Sequence, residues 1–135
     1  MTALIDKALI DAARAAREHA HAPYSQFKVG AALATRDGRV FLGCNVENMS
    51  YGLTNCAERT ALFAAIAAGY RAGDFVQIAV IGNTAEPIPP CGACRQVMFE
   101  LGGPALAVLQ ANLAGAVKRT TAAELLPGAF VLPAK

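Results

Sequence analysis

The chain contains no tryptophan and only two histidines, and 16% of its residues are charged. A typical soluble domain carries about 25% charged residues. The histidine shortage means that a metal centre here must draw its ligands mainly from other residue types. His19 and His21 have no neighbour at ligand spacing and read as surface residues near a helix end, where histidine is ordinary. Long apolar runs are also missing. Charges interrupt every stretch well before the roughly 20 residues that cross a bilayer, so no membrane span is expected. No block of lysine and arginine exists that could follow a phosphate backbone, which argues against a nucleic-acid partner. The first residues, Met1-Thr2-Ala3-Leu4-Ile5-Asp6-Lys7, show no basic segment followed by an apolar one. Secretion is therefore not expected, and a cytoplasmic location is.

What is abundant is apolar residue: 55% of the chain. At 135 residues the length suits one domain, 1–135, with a single core. So much apolar surface on a small domain is best placed in contacts between subunits, and a homo-oligomer is expected. A monomer with an alanine-filled core is the alternative.

The four cysteines could make two disulfides in an oxidising compartment, but their spacing suggests metal binding instead. Cys56-Ala57-Glu58-Arg59 and Pro90-Cys91-Gly92-Ala93-Cys94-Arg95-Gln96 form a C-x-E and P-C-x-x-C pair. Three thiolates, from Cys56, Cys91 and Cys94, offer Zn²⁺ three ligands and leave a fourth position for water, the mark of a catalytic site. Glu58 lies two residues from the first thiolate, near enough to handle the protons of that water. Both segments are expected at helix N-termini, where the free N–H groups favour thiolate over thiol. Zinc with three thiolates carries a formal charge of −1. Arg59, Arg95 and the two helix ends are the available counterweights, with Arg59 the preferred one. Two duller arrangements stay open: a structural four-cysteine site that adds Cys44, and a redox pair at Cys91 and Cys94. The second leaves Cys56 and Glu58 without a purpose.

Taken in order, residues 3 to about 19 predict a helix, with Leu4, Ala8, Leu9, Ala12 and Ala16 as its apolar stripe and Thr2 as a possible cap. A strand over Lys28–Thr35, the Arg36-Asp37-Gly38-Arg39 turn and a return strand from Val40 to about Val46 follow as a hairpin. Asn45 and Glu47 lie two apart at its end and are expected on one side. A helix from Cys56 to about Tyr70, capped by Asn55, precedes a strand over Phe75–Ile81. Cys91 and Cys94 open a second helix after a loop with three prolines. Strands over 105–111 and 116–120, joined by a short turn, are expected to be antiparallel. Thr121-Ala122-Ala123-Glu124 is a capping box for a short helix, Ala122 to Leu126. The order α-β-β-α-β-α-β-β-α gives an α/β fold, a mixed five-stranded sheet with helices on its faces.

These stretches resemble the cytidine deaminases, in the small form that binds zinc through cysteines alone. Pro23-Tyr24-Ser25-Gln26-Phe27-Lys28-Val29-Gly30-Ala31-Ala32 is similar to the family's P-Y-S-x-F-x-V-G-A-A, Cys44-Asn45-Val46-Glu47-Asn48 to its nucleoside-binding stretch, and C-A-E-R and P-C-G-A-C-R-Q to its zinc segments. Glu124-Leu125-Leu126-Pro127 with Phe130 resembles its C-terminal signature. The resemblance implies a three-layer α-β-α fold and a homotetramer with shared active sites. It also implies zinc-dependent hydrolysis of cytidine and 2′-deoxycytidine to uridine and 2′-deoxyuridine in pyrimidine salvage. Carried over, Cys56, Cys91 and Cys94 hold zinc and Glu58 moves protons. Asn45 and Glu47 bond the ribose 3′-hydroxyl, and Phe27 packs on the pyrimidine. The Ala57 backbone reads the base edge, while Tyr51 and Phe130 reach a pocket across a subunit boundary. A blasticidin-type deaminase is the nearest rival, and a zinc-stabilised binding module without turnover is the rival from another class.

Overall fold

A computed structural model describes residues 2–133, with side chains described from Leu4 onward. The first helix, α1 (Thr2–Arg17), precedes a hairpin of β1 (Val29–Thr35) and β2 (Val40–Cys44). Then come a 3₁₀ turn over Tyr51–Leu53, α2 (Ala57–Ala67), β3 (Phe75–Gly82), α3 (Gly92–Gly102), β4 (Ala107–Asn112), β5 (Val117–Thr121) and α4 (Ala122–Leu125). The element order is the expected one, and the five strands form one sheet in the order β2-β1-β3-β4-β5. All neighbours are antiparallel except β3 and β4, which run parallel because α3 carries the chain back between them.

Two apolar layers flank the sheet. Val29, Ala31, Leu33, Ile78, Val80 and Val108 face α2 and α3, with Leu62, Cys94 and Met98 packed against them. Ala32, Ala79, Ile81 and Leu109 face α1 through Leu9 and Ala13. The three-layer arrangement is therefore present. Two glycines set how closely the helices approach. A Cβ at Gly30 would lie 2.0 Å from the Ala13 carbonyl oxygen, and one at Gly43 would lie 2.2 Å from that of Ala57. Ala31 pairs with Gly43 across the strands, so Gly30 and Gly43 point to opposite faces and each seats one helix.

This seating corrects the expected stripe of α1. Leu9, Ala13 and Ala16 are buried, whereas Leu4 and Ala8 are exposed, because Gly30 draws the Ala13–Arg17 backbone onto the sheet. The helix also ends earlier than expected, at Arg17, and the Nε–H of Arg17 donates to the Lys28 carbonyl at 3.0 Å. The Thr2 cap lies outside the described side chains. His19 and His21 are exposed, and the His21 backbone bridges to the Asn45–Glu47 segment. At the opposite end of the hairpin Gly38 takes φ +91°, as the Asp-Gly turn requires.

At one end of the sheet the chain enters β1 and leaves β2, β3 and β4. The loops there carry residues 21–28, 45–56 and 83–91. This is the position outside the carboxyl ends of parallel strands where α/β sheets place ligands.

Candidate metal centre and active site

The helices α2 and α3 begin at this end, each one residue later than expected. Cys56, not Asn55, is the residue before α2, in extended conformation. Asn55 instead donates through Nδ2 to the Thr60 hydroxyl at 3.1 Å, and that hydroxyl donates to the Cys56 carbonyl at 3.0 Å. Cys91 caps α3, its sulfur accepting from the Cys94 N–H at 3.4 Å.

The sulfurs of Cys56, Cys91 and Cys94 all lie within 4.8 Å of one another, and those of Cys56 and Cys91 are 3.7 Å apart. A tetrahedral zinc ion about 2.3 Å from each sulfur calls for an S···S spacing of about 3.8 Å, so the trio fits Zn²⁺. Cys44 lies outside this cluster, which removes the four-cysteine arrangement among the described residues.

Charge around the trio is graded. The Arg59 guanidinium donates through Nη2 to the Cys56 sulfur at 3.3 Å. The Cys56 thiol is drawn down to about 5, first by a hydrogen bond from Cys94, then by Arg59 and Cys91 against the opposing effect of burial. The Cys94 thiol is pushed up, because it is the donor to Cys56 and is itself buried. One proton thus leaves the trio easily, and further protons leave against charge already present. A divalent cation removes that opposition for all three thiols together.

Glu58 is 4% exposed in the first turn of α2. Burial pushes its carboxyl up to about 7, and the Cys56 charge adds to the rise. A carboxyl poised near neutrality beside a metal centre is suited to taking and returning protons.

The pattern of the cytidine and deoxycytidylate deaminase zinc-binding region matches residues 4–110. The chain belongs to the cytidine deaminase family. A cytidine deaminase of Halalkalibacterium halodurans is 58% identical over 122 residues, covering 90% of this chain and 91% of that protein. The crystal structure of cytidine deaminase from Burkholderia pseudomallei superimposes with a TM-score of 0.91 at 68% identity, covering 92% of this chain and 98% of the other. That from Mycobacterium tuberculosis gives 0.79 at 40% identity, with 93% and 97% covered. Membership makes the chain a zinc-binding hydrolytic enzyme, and the Cys56, Cys91 and Cys94 thiols already gathered fit that ion.

The remaining residues expected for a cytidine deaminase site are distributed unevenly. Asn45 is buried, its Oδ1 accepting from the Val29 N–H at 2.9 Å and its Nδ2 donating to the Phe27 carbonyl at 2.8 Å. The Oε1 of Glu47 accepts from the N–H groups of Tyr24 and Ser25 at 2.9 and 3.1 Å, and its Oε2 accepts from the Ser25 hydroxyl. Those bonds, led by the Ser25 hydroxyl, hold the Glu47 carboxyl below the usual carboxylate range. Both side chains therefore clamp the 24–29 segment, yet keep a second amide hydrogen and further lone pairs for another partner. Phe27 is 39% exposed, its ring edge beside Gly82. Ala57 is wholly buried against Gly43. Tyr51 lines an open groove of about 360 Å³ with Tyr24, Ser25, Glu47 and Thr54. Phe130 does not join it and instead lines a separate groove with Phe99 and Pro104, at the end of α3.

Sequence reasoning missed the supports of the loop that carries Cys91. Asn112 donates through Nδ2 to the carbonyls of Thr84 and Ala85, both at 3.1 Å, and Gln110 donates to that of Ile88 at 3.2 Å. Thr120 in turn donates to the Gln110 amide oxygen at 3.0 Å. Their signal was available. Gln110 and Asn112 are amides in a strand covered on both faces, where a buried amide needs a partner.

Proposed function

We propose that this enzyme hydrolyses cytidine and 2′-deoxycytidine to uridine and 2′-deoxyuridine with release of ammonia, as a step of pyrimidine salvage. One observation carries the reading: three thiols gathered at metal spacing with a buried carboxyl, Glu58, two residues from the first of them. Cys56, Cys91 and Cys94 would hold Zn²⁺, which would supply Lewis acidity that lowers the pKa of a water toward neutrality. Glu58 accepts the proton that this water loses and passes it to N3 of the pyrimidine. It then takes the second proton of the added hydroxyl and delivers it to the departing amine, so that water is consumed and ammonia leaves without net proton loss. Arg59 balances the thiolate of Cys56.

Asn45 and Glu47 orient the nucleoside through the ribose 3′-hydroxyl. Their bonds to the 24–29 segment hold them in place before substrate arrives, which lowers the ordering cost of binding. In this reading neither group reads the 2′ position, so ribose and deoxyribose are both accepted. Phe27 packs on the base, and the Ala57 backbone meets its edge.

The same reading takes the protein to be a cytoplasmic, single-domain homotetramer with shared sites. Its support is the exposure of Met49, Tyr51, Leu53, Phe130, Val131 and Leu132, each at least two-thirds exposed. Tyr51 and Phe130 belong to different grooves of one chain, as residues serving two neighbouring sites would. Among the described residues no helix is long and apolar enough to cross a membrane.

Mixing the zinc-loaded protein with cytidine, and separately with deoxycytidine, and following ultraviolet absorbance tests the activity. Conversion of both to the uracil nucleosides is expected. Tight zinc binding with neither nucleoside consumed would identify a binding module and overturn the reading.

A further inference from the structure

The Cys91 ligand stands on a loop with little backbone structure of its own. Pro87, Pro89 and Pro90 lack N–H groups, so much of the loop is held through its carbonyls. The last of these before the metal ligand, that of Pro90, accepts from the Nε–H of Arg95 at 2.8 Å. The peptide plane between Pro90 and Cys91 is rigid, so fixing that oxygen fixes the N–Cα bond of Cys91, and the helix start, where the Cys94 N–H meets the Cys91 sulfur, sets the rest. A second arm of the same guanidinium, Nη1, donates to the Leu125 carbonyl at 3.2 Å, thirty residues further on. Leu125 is the last residue of α4, whose terminal carbonyls have no partner inside the helix.

Charge does not account for this placement. Arg95 occupies the fourth position of α3, near a helix N-terminus, where the dipole disfavours a cation. It forms none of the ion pairs among the described residues, which are Lys7–Asp11, Arg17–Glu18 and Arg119–Asp6. Nor does it reach a thiolate as Arg59 does. What the guanidinium offers here is a flat fork that grips two carbonyls at once, which a lysine ammonium cannot reproduce with the same rigidity.

We propose that Arg95 is a positioning residue for the metal centre: it locks the Pro90–Cys91 peptide in the ligating orientation and anchors it to the end of α4. Retention of zinc then depends on a side chain that touches neither zinc nor substrate. The same grip ties the metal loop to the segment that leads on to Phe130. The proposal rests on the zinc assignment above.

The test follows zinc passing from the loaded protein to a chromophoric chelator, for the parent chain, Arg95→Lys, Arg95→Met and the distant control Arg119→Met. Release from Arg95→Met should be about 10–100-fold faster than from the parent, the range for losing a group that orients a ligand. Arg95→Lys should fall between the two. Arg119→Met, which breaks the pair with Asp6, should release zinc at the parent rate whatever its melting temperature. The visible spectrum of the cobalt-substituted protein gives a second readout and should shift in both Arg95 variants. Parent-like release and spectra in both would overturn the proposal, as would equal acceleration in Arg119→Met. If Arg95→Met fails to fold, Arg95→Lys alone decides by the same measures. A parent chain that holds no zinc would overturn the site assignment instead.

Discussion

The two helices that bring thiols to the metal centre begin in contrasting surroundings. The first turn of α2 is pressed onto the sheet: Ala57 is fully buried, Glu58 nearly so, and Gly43 gives up its side chain to let the helix in. The first turn of α3 is open, with Cys91, Gly92 and Ala93 exposed and only Cys94 buried. On α2 the ligand is steadied by Arg59 on its sulfur; on α3 it is steadied by carbonyl contacts made to the loop before it. Under the proposed function the contrast separates two tasks. A proton carrier needs a dry, fixed position that raises its affinity for protons, whereas a site for an entering nucleoside needs one accessible wall.

That division can be broken most sharply at Glu58. Glu58→Gln keeps the shape of the buried turn but cannot carry protons. Turnover of cytidine should fall by roughly 10²–10⁴ or more, while zinc content and nucleoside binding persist. Metal analysis and calorimetric titration beside the absorbance assay check it. A matching loss of zinc would make Glu58 a ligand rather than a carrier.

A smaller effect sharpens the comparison through glycine. Gly43→Ala drives a Cβ into the Ala57 carbonyl, which backbone cannot easily yield, and should destabilise the protein by about 3 kcal/mol. Gly92→Ala, with nothing within 4 Å of the added carbon, should change stability by no more than about 0.5 kcal/mol. Denaturant unfolding of the pair measures the difference. Equal costs would mean that the two helix starts are held alike.

How legible these features were in the sequence depends on what carries them. The strands, the hairpin turn and the thiol trio follow from periodicity, the Asp-Gly pair and ligand spacing, all of which are local. The stripe of α1 holds at Leu9, Ala12 and Ala16 but takes in the exposed Leu4 and Ala8 and leaves out Ala13, because its rotation is set by Gly30, a residue of another element that contacts the Ala13 and Arg17 backbone. The α2 cap was misplaced because Asn55, a good capping residue by type, bonds Thr60 instead. By charge and position Arg95 reads as a counterweight to the thiolates, but it bonds backbone carbonyls. Any residue offers a carbonyl, so no side-chain pattern marks such a contact. The grip of Glu47 on the Tyr24–Ser25 turn was hidden for a related reason: the partners are mostly N–H groups more than twenty residues away.

The place of β3 at the centre of the sheet has a consequence for the order of folding. The β1–β2 and β4–β5 hairpins join residues as near as Ala34 with Val40 and Ala111 with Val117. Pairings of β3 span far more chain, from Val29 to Gly82 on one side and from Gln77 to Ala107 on the other. Short loops close first, so β3 is the strand expected to dock last. Cys56 and Cys91 flank β3 in the sequence, and they meet only once it has docked. Zinc therefore arrives at a barrier already crossed: it should slow unfolding and leave the refolding rate unchanged. Stopped-flow refolding across a range of zinc concentrations distinguishes the cases, and a rate that climbs with zinc would place the meeting of the thiols before the barrier.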